Sequence, residues 1–303
     1  MLRELEKEDY RELTSEQMQA LTRRAAQKYM SDIGEMALGV GITKIKIERL
    51  VRAALPVVEG LCEELEGSLF RPKFFELAIK AGDAESPEPA VAKSAAGRDV
   101  YVYGYIDRVD TYKKGEDVYV RVIDYKTGRK DFSPDDLKEG KNLQMFLYLK
   151  SILDTKNEKF KERIGLGEGG RLIPAGVIYV KTSITDKRID IPSDELAREA
   201  VKEAQGREGM VLDDEEVISA MNMRYTPLYS KRTPDKIPDS KRKYLFTEES
   251  FDGMMSDALS TVSDVADRIC EGDASASPRD DGTALHCEMC EFKPICRSKV
   301  ITS

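Results

Sequence analysis

Two hydrophobic periods alternate along this chain, and they divide it into helices and strands. Residues 14–31, TSEQMQALTRRAAQKYMS, carry Met18, Leu21, Ala25 and Tyr29 at helical spacing. Thr14 stands three before Gln17, a capping-box signature, so a helix is expected to start there. A second amphipathic helix is expected from about residue 46 to 65, closed by the turn-like EGS, and LFRPKFFELAIK then reads as a strand. Residues 81–99, AGDAESPEPAVAKSAAGRD, are small, proline-containing and without period, which predicts a mobile loop. Two strands, 100–111 and 118–125, flank YKKGED, a hairpin signal with Gly115 at its centre. Residues 135–152 read as a helix that Gly140 interrupts without ending, and RLIPAGVIYVKTS is apolar enough for a sheet interior. Further helices are expected near 193–206, 213–222 and 247–270. The order predicts an α/β fold with a mixed central sheet flanked by helices. A helical segment over 1–69, a core over 70–270 and a cysteine-rich tail over 271–303 complete the expected organisation.

Composition narrows the function. A chain of 303 residues buries a full core, and no apolar run approaches membrane-spanning length. The charged opening, MLRELEKEDY, is not a signal peptide. Five cysteines, three of them crowded into the last twenty residues, therefore point to a metal or cluster site in a reducing cytoplasm rather than to disulfides. The net charge of −8 argues against a general nucleic-acid coat, although a local basic track is compatible with it. No G-x-x-x-x-G-K-[ST] occurs, so the chain itself is not expected to hydrolyse ATP at a P-loop.

The candidate chemistry lies in YVYGYIDRVDTYKKGEDVYVRVIDYKTG, residues 101–128. On a strand, Asp124 and Lys126 share a face, with Tyr125 opposite. The hairpin brings Asp107 alongside, so two carboxylates and a lysine are expected to meet at one end of the sheet. Such a group suits a hard divalent ion held by one or two carboxylates, with an ammonium nearby to serve the attacking water in phosphodiester hydrolysis. A D-x-K triplet alone is usually a solvated surface pair. The upstream GYIDRVD is what raises its weight.

Taken in order, GYIDRVD, VIDYKTG and LQMFLYL resemble the RecB-type branch of the PD-(D/E)xK nucleases, with its G-x-x-D, D-x-K and Q-x-x-x-Y motifs. The resemblance implies a restriction-endonuclease-like core, Asp107 and Asp124 as ligands of Mg²⁺ or Mn²⁺, and Lys126 serving the water. It also implies that the Tyr125 carbonyl is a further ligand, that Gln144 and Tyr148 belong to the catalytic set, and that Glu76 is an acidic residue near the metal. Family members usually carry a metal-binding histidine upstream, whereas the single histidine here, His286, lies beside the cysteines.

The stretch ALHCEMCEFKPICRSK places Cys287, Cys290 and Cys296 at C-x2-C-x5-C spacing, suited to an iron–sulfur cluster or zinc. With GMVLDDEEVISAMN, this tail is similar to the C-terminal nuclease domains of AddB-type helicase–nuclease subunits, over about residues 65–300. Those domains carry a 4Fe–4S cluster whose first cysteine precedes the nuclease motifs. Cys62 sits in an amphipathic helix and Cys270 far downstream, so the chain is expected to be truncated at its N-terminus and its cluster incomplete. Zinc on three cysteines and His286 is the fallback.

The resemblance further implies a single-strand DNA exonuclease of 5′ to 3′ polarity, working in double-strand-break repair with an AddA-like partner. Phosphate contacts are expected from Lys113, Lys114, Arg129 and Lys130 around the metal, and from Lys231, Arg232, Lys241, Arg242 and Lys243 in a loop with six basic and two acidic residues. The alternatives are a stand-alone exonuclease of the CRISPR-adaptation type and a nuclease fold kept only for binding DNA or a partner.

Overall fold

The computed structural model describes residues 13–32, 40–126 (backbone alone for 40–42), 133, 140, 142–182, 206–273, 291, 292 and 295. Helix α1 spans Ser15–Asp32 and α2 spans Val40–Glu66. The expected capping box forms: the Thr14 N–H donates to Gln17 Oε1 at 2.8 Å and the Gln17 N–H to Thr14 Oγ1 at 3.3 Å. Two donors that a helix start leaves open are thereby satisfied. Helix α2 begins well before the expected residue 46 and carries Pro56 in its interior.

Strand β1, Arg71–Ile79, is followed by a separate hairpin of β2, Ala90–Lys93, and β3, Asp99–Val102. Strands β4 (Gly104–Lys114), β5 (Asp117–Lys126), β6 (Leu172–Lys181), β7 (Arg207–Leu212) and β8 (Leu245–Phe246) complete a six-stranded sheet of order β1-β4-β5-β6-β7-β8. Pairs β5–β6 and β7–β8 are parallel and the other three are antiparallel, so the sheet is mixed, as expected. The turn between β4 and β5 places Gly115 at φ 60°, the conformation for which glycine is the ready choice. A parallel β5–β6 pair needs a crossover, supplied by α3, Gln144–Leu153, and α4, Glu158–Ile164. Strand β6 is buried along its whole interior, which accounts for its unbroken apolar sequence. Short α5 (Glu215–Ser219) and α6 (Asp239–Arg242) precede the long α7 (Glu248–Cys270). No helix among the described residues is long and apolar enough to cross a membrane.

Four local expectations are corrected. The stretch read as a mobile loop contains β2, whose Ala90 and Ala92 are buried while Val91 and Lys93 are exposed. Small residues hid that alternation, and tertiary anchoring decided it, with the Ala90 N–H bonded to Ser151 Oγ at 2.9 Å. The strand expected over 100–111 breaks at Tyr103, passing from the β2–β3 hairpin to the main sheet. The helix expected over 135–152 does not run unbroken: Gly140 (φ 71°) and Asn142 (φ 57°) are left-handed and cannot continue a right-handed helix, and α3 begins after them at Gln144, while 134–139 lie outside the described residues. Strands β7 and β8 were not anticipated, being short and set among charged residues. The helix expected near 193–206 falls almost wholly outside the described residues.

One face of the sheet buries charge. Arg108, Asp110 and Arg121 are at most 1% exposed, and Glu64 reaches them from α2. Arg108 donates to Asp110 Oδ1 at 2.6 Å and to Glu64 Oε1 at 3.1 Å. Arg121 donates to Glu64 Oε1 at 2.8 Å and to Asp110 Oδ2 at 2.7 Å, and Arg207 donates to Glu64 Oε2 at 3.1 Å. Burial alone would raise the Glu64 carboxyl, but Arg108, Arg121 and Arg207 outweigh it and hold it at about 2, against an ordinary 4.5. Since Glu64 belongs to α2, that helix is tied into the core on which the sheet rests.

A carboxyl depressed in the folded state stabilises fully above its ordinary value and loses that contribution as pH falls through the folded one. For Glu64 the loss runs between about 4.5 and 2 and amounts to about 3 kcal/mol. Glu64→Gln, which leaves three buried guanidinium groups short of a counter-charge, is expected to cost about 3–5 kcal/mol in urea unfolding at neutral pH. The gap from wild type should close as the solution is acidified. A loss under about 1 kcal/mol would mean that water already solvates the cluster.

Candidate active site

The β4–β5 register builds the site. It pairs Arg108 with Ile123, so one further step sets Asp107 opposite Asp124. On the other side, β1 pairs Phe75 with Arg108 and Leu77 with Ile106, which leaves Glu76 opposite Asp107. Glu76 itself adopts φ 50°, a left-handed conformation that costs a non-glycine residue roughly 1–2 kcal/mol. Across β6, Asp124 pairs with Tyr179 and Lys126 with Lys181.

Direct contacts knit the row together. The Tyr125 N–H donates to Asp107 Oδ2 at 2.9 Å, so the strand carrying Asp124 also holds the carboxylate of its neighbour. Lys126 Nζ stands 2.8 Å from Asp124 Oδ2 and 5.9 Å from the centre of the Tyr179 ring. Asp124 Oδ2 is buried and, despite that close ammonium, has no donor directed at it along a hydrogen bond. Partial burial pushes the Asp107 carboxyl above its ordinary 3.8; the Tyr125 N–H opposes this, Asp124 adds to it, Lys126 opposes it and Glu76 adds to it. An under-satisfied carboxylate oxygen beside a second, crowded carboxyl that is pushed above its ordinary range is the electrostatic condition that a bound cation relieves.

A divalent ion fits this donor set. Hard oxygen ligands from two carboxylates, with water and substrate phosphate completing the shell, suit Mg²⁺. Among the described residues no three acidic, histidine or thiol side chains are gathered closely enough to hold an ion by themselves. Glu76 thus stands beside the Asp107–Asp124 pair as a charge rather than as the third member of a cluster.

Gln144 and Tyr148 lie one turn apart on α3, with Gln144 Nε2 donating to Tyr148 Oη at 2.9 Å. Tyr148 is buried, and its hydroxyl occupies the space that a side chain at Gly104 would need, for a Cβ there would lie 1.9 Å from Oη. The glycine that opens GYID and the tyrosine of the helix are therefore complementary halves of one contact, three residues from Asp107.

The remaining expected residues are more scattered. Lys113 and Lys114 stand at the turn end of β4, six and seven residues from Asp107, or about 20 Å of extended strand. Lys114 pairs with Glu216 there, so the expectation that this pair surrounds the metal is corrected. Lys241, Arg242 and Lys243 lie at and just after α6, leading into β8, three strands from β5; Lys241 and Lys243 flank the Tyr244 ring at 5.3 and 5.0 Å. Lys231 and Arg232 precede them in the same exposed connection. Arg129, Lys130, His286, Cys287, Cys290 and Cys296 fall outside the described residues. Cys62 is buried against Leu21, Val58, Leu61 and Leu65, and Cys270 is exposed at the end of α7.

A sequence model of the PD-(D/E)XK nuclease superfamily matches residues 1–297. The chain belongs to that superfamily. Within it, the chain is similar to the B subunits of ATP-dependent helicase/deoxyribonucleases. Identity is 28% to that of Thermoanaerobacter sp. (strain X514) over 82% of this chain and 21% of the relative. For Exiguobacterium sibiricum it is 26% over 95% and 25%, and for Clostridium novyi 30% over 82% and 21%. The chain thus spans a fifth to a quarter of the length of these relatives.

As a member of the PD-(D/E)XK superfamily, the chain shows two neighbours of its D-x-K strand that motif reading passed over. Tyr179 lies beneath Lys126, and Lys181 pairs with Glu208 at 2.6 Å. Parallel strands bring their carboxyl ends to the same edge, so YVK at the end of RLIPAGVIYVKTS was the available signal. The Gly104 contact is directly testable. Gly104→Ala is expected to lose about 1–3 kcal/mol by overpacking, and much less in a Tyr148→Ala background. Equal losses in the two backgrounds, measured by denaturant unfolding, would separate the two motifs.

Proposed function

We propose that the chain is the nuclease domain of a helicase–nuclease subunit and hydrolyses DNA phosphodiesters with Mg²⁺ or Mn²⁺. The observation that carries this reading is the β4–β5 register, which faces Asp107 with Asp124 and leaves Lys126 paired to Asp124 at 2.8 Å. Asp107, Asp124 and the Tyr125 carbonyl would hold the ion. When bound, it supplies Lewis-acid activation of water and neutralisation of phosphate charge. The chain's own groups do the remaining work. The Tyr125 N–H keeps the Asp107 carboxylate turned toward its partner. Lys126 Nζ, on a side chain 43% exposed, offers donors at the open edge of the site. There it orients the attacking water and counters the charge that builds on the phosphoryl oxygens. Gln144 and Tyr148 fix the start of β4 against α3 and so set the position of Asp107.

The names of the relatives support a DNA substrate and a motor in the same assembly. On that footing the substrate is a single strand, degraded exonucleolytically from 5′ to 3′ in the cytoplasm during double-strand-break repair, with an AddA-like protein as partner. Cys287, Cys290 and Cys296 would hold a 4Fe–4S cluster, with a fourth thiolate from outside the nuclease motifs. The N-terminal helices, the core over 70–270 and the tail over 271–303 remain the proposed organisation.

The test uses single-stranded DNA labelled at one end or the other, with Mg²⁺ or Mn²⁺ and purified wild type, Asp124→Ala and Lys126→Ala. Wild type should release short products from the 5′ end, and each variant should lose at least about 10²-fold in rate with unchanged folding. Cleavage that survives Lys126→Ala would overturn the assignment. A folded wild type that binds DNA yet cuts nothing with either metal would favour the binding-only module.

A further inference from the structure

The chain carries an exposed aromatic series that nothing in the catalytic site explains. Tyr101, Tyr103 and Tyr105, at alternate positions, are 49%, 58% and 60% exposed. Single exposed tyrosines are ordinary, but three at alternate positions within five residues are not. The Tyr101 and Tyr103 rings lie 6.4 Å apart, tilted by 37°, and Lys80 Nζ sits 6.0 Å from the centre of the Tyr105 ring. Val91, 41% exposed and paired with Tyr101, extends the apolar surface on the hairpin side.

The support beneath this series is rigid. The β2–β3 hairpin is fastened to α3 by the Ala90 N–H on Ser151 Oγ at 2.9 Å, and to α7 by the Ala95 N–H on Asp267 Oδ2 at 2.7 Å. Tyr105 is held in the sheet opposite Ala78, and the joint beside Tyr103 is Gly104, closed against Tyr148. Rings mounted this way lose little further freedom when something lies across them. The series also leads somewhere definite: Tyr105 precedes Asp107 by two residues, about 7 Å of strand.

We propose that Tyr101, Tyr103 and Tyr105 form a stacking track for the bases of single-stranded DNA, delivering the strand to Asp107 and Asp124. The proposal rests on the nuclease reading above and adds to it a binding site and the reason for a single-strand preference. Unpaired bases present their faces to aromatic rings, whereas a duplex keeps those faces stacked inside. Electrostatics make stacking the more needed here. The chain carries a net charge of −8, and Lys113 and Lys114 sit at the far end of β4. Lys80 beside Tyr105 adds a cation where a phosphate must pass to reach the carboxylates.

Binding is measured in EDTA, so that no strand is cut, by fluorescence anisotropy with a labelled oligothymidine, the matching duplex and an abasic oligomer of equal length. Each Tyr→Ala change is expected to weaken oligothymidine binding about 5- to 100-fold, with an unchanged salt slope because no phosphate contact is removed. Each Tyr→Phe change should stay within about twofold, since the ring face remains. On the abasic oligomer the alanine variants should match wild type. Wild-type binding of oligothymidine that the three alanine changes leave intact would overturn the track while leaving the nuclease reading standing. Alanine variants that keep oligothymidine affinity but lose a helicase partner would overturn it in favour of a protein interface. A wild type that binds none of the three DNAs would remove the track and the nuclease reading together.

Discussion

The hydrogen bond from the Tyr125 N–H to Asp107 Oδ2 ties the two halves of this site into one geometry. Because the donor is main chain, the distance between the acidic strands and the orientation of Asp107 are set by the same pairing that builds the sheet. Tyr125 is anchored on the opposite face as well, its hydroxyl accepting from Arg108 at 3.2 Å. One residue therefore links the edge that carries Asp107 and Asp124 to the buried charge cluster. The cluster is a costly foundation, since ions removed from water regain their solvation energy only through well-formed partners. Glu64 serves all three arginines, and without it the floor beneath Asp124 and Lys126 would carry unneutralised charge.

Much of this was legible in the sequence where local chemistry decides the outcome. The capping box at Thr14, the Gly115 turn, the apolar β6 and the meeting of Asp107, Asp124 and Lys126 follow from side-chain spacing alone. What was not legible depended on partners distant in the chain. Strand β2 exists because Ser151 and α7 hold it, and left-handed Gly140 and Asn142 break the expected helix ahead of α3. The buried arginines could not be read either. DRVD and YVRV look like solvated charge on a strand until Glu64, more than forty residues away, is brought beneath them.

The two glycine–aromatic relationships in this region serve different ends. Gly104 yields its side-chain volume to Tyr148, which fixes the beginning of β4. The tyrosines flanking that glycine point their surface to solvent instead, which a purely structural joint would not require. Tyr105 stands on the same strand as Asp107, two residues before it. The relatives to which the chain is similar are four to five times its length.

The central claim is that Asp107 and Asp124 share one divalent ion beside Lys126. Anomalous diffraction from crystals soaked in Mn²⁺ tests it most directly. The account predicts one strong peak within coordination distance of both carboxylates and of the Tyr125 carbonyl. A map with no peak there, or with manganese bound to one acid and the other turned away, would contradict it.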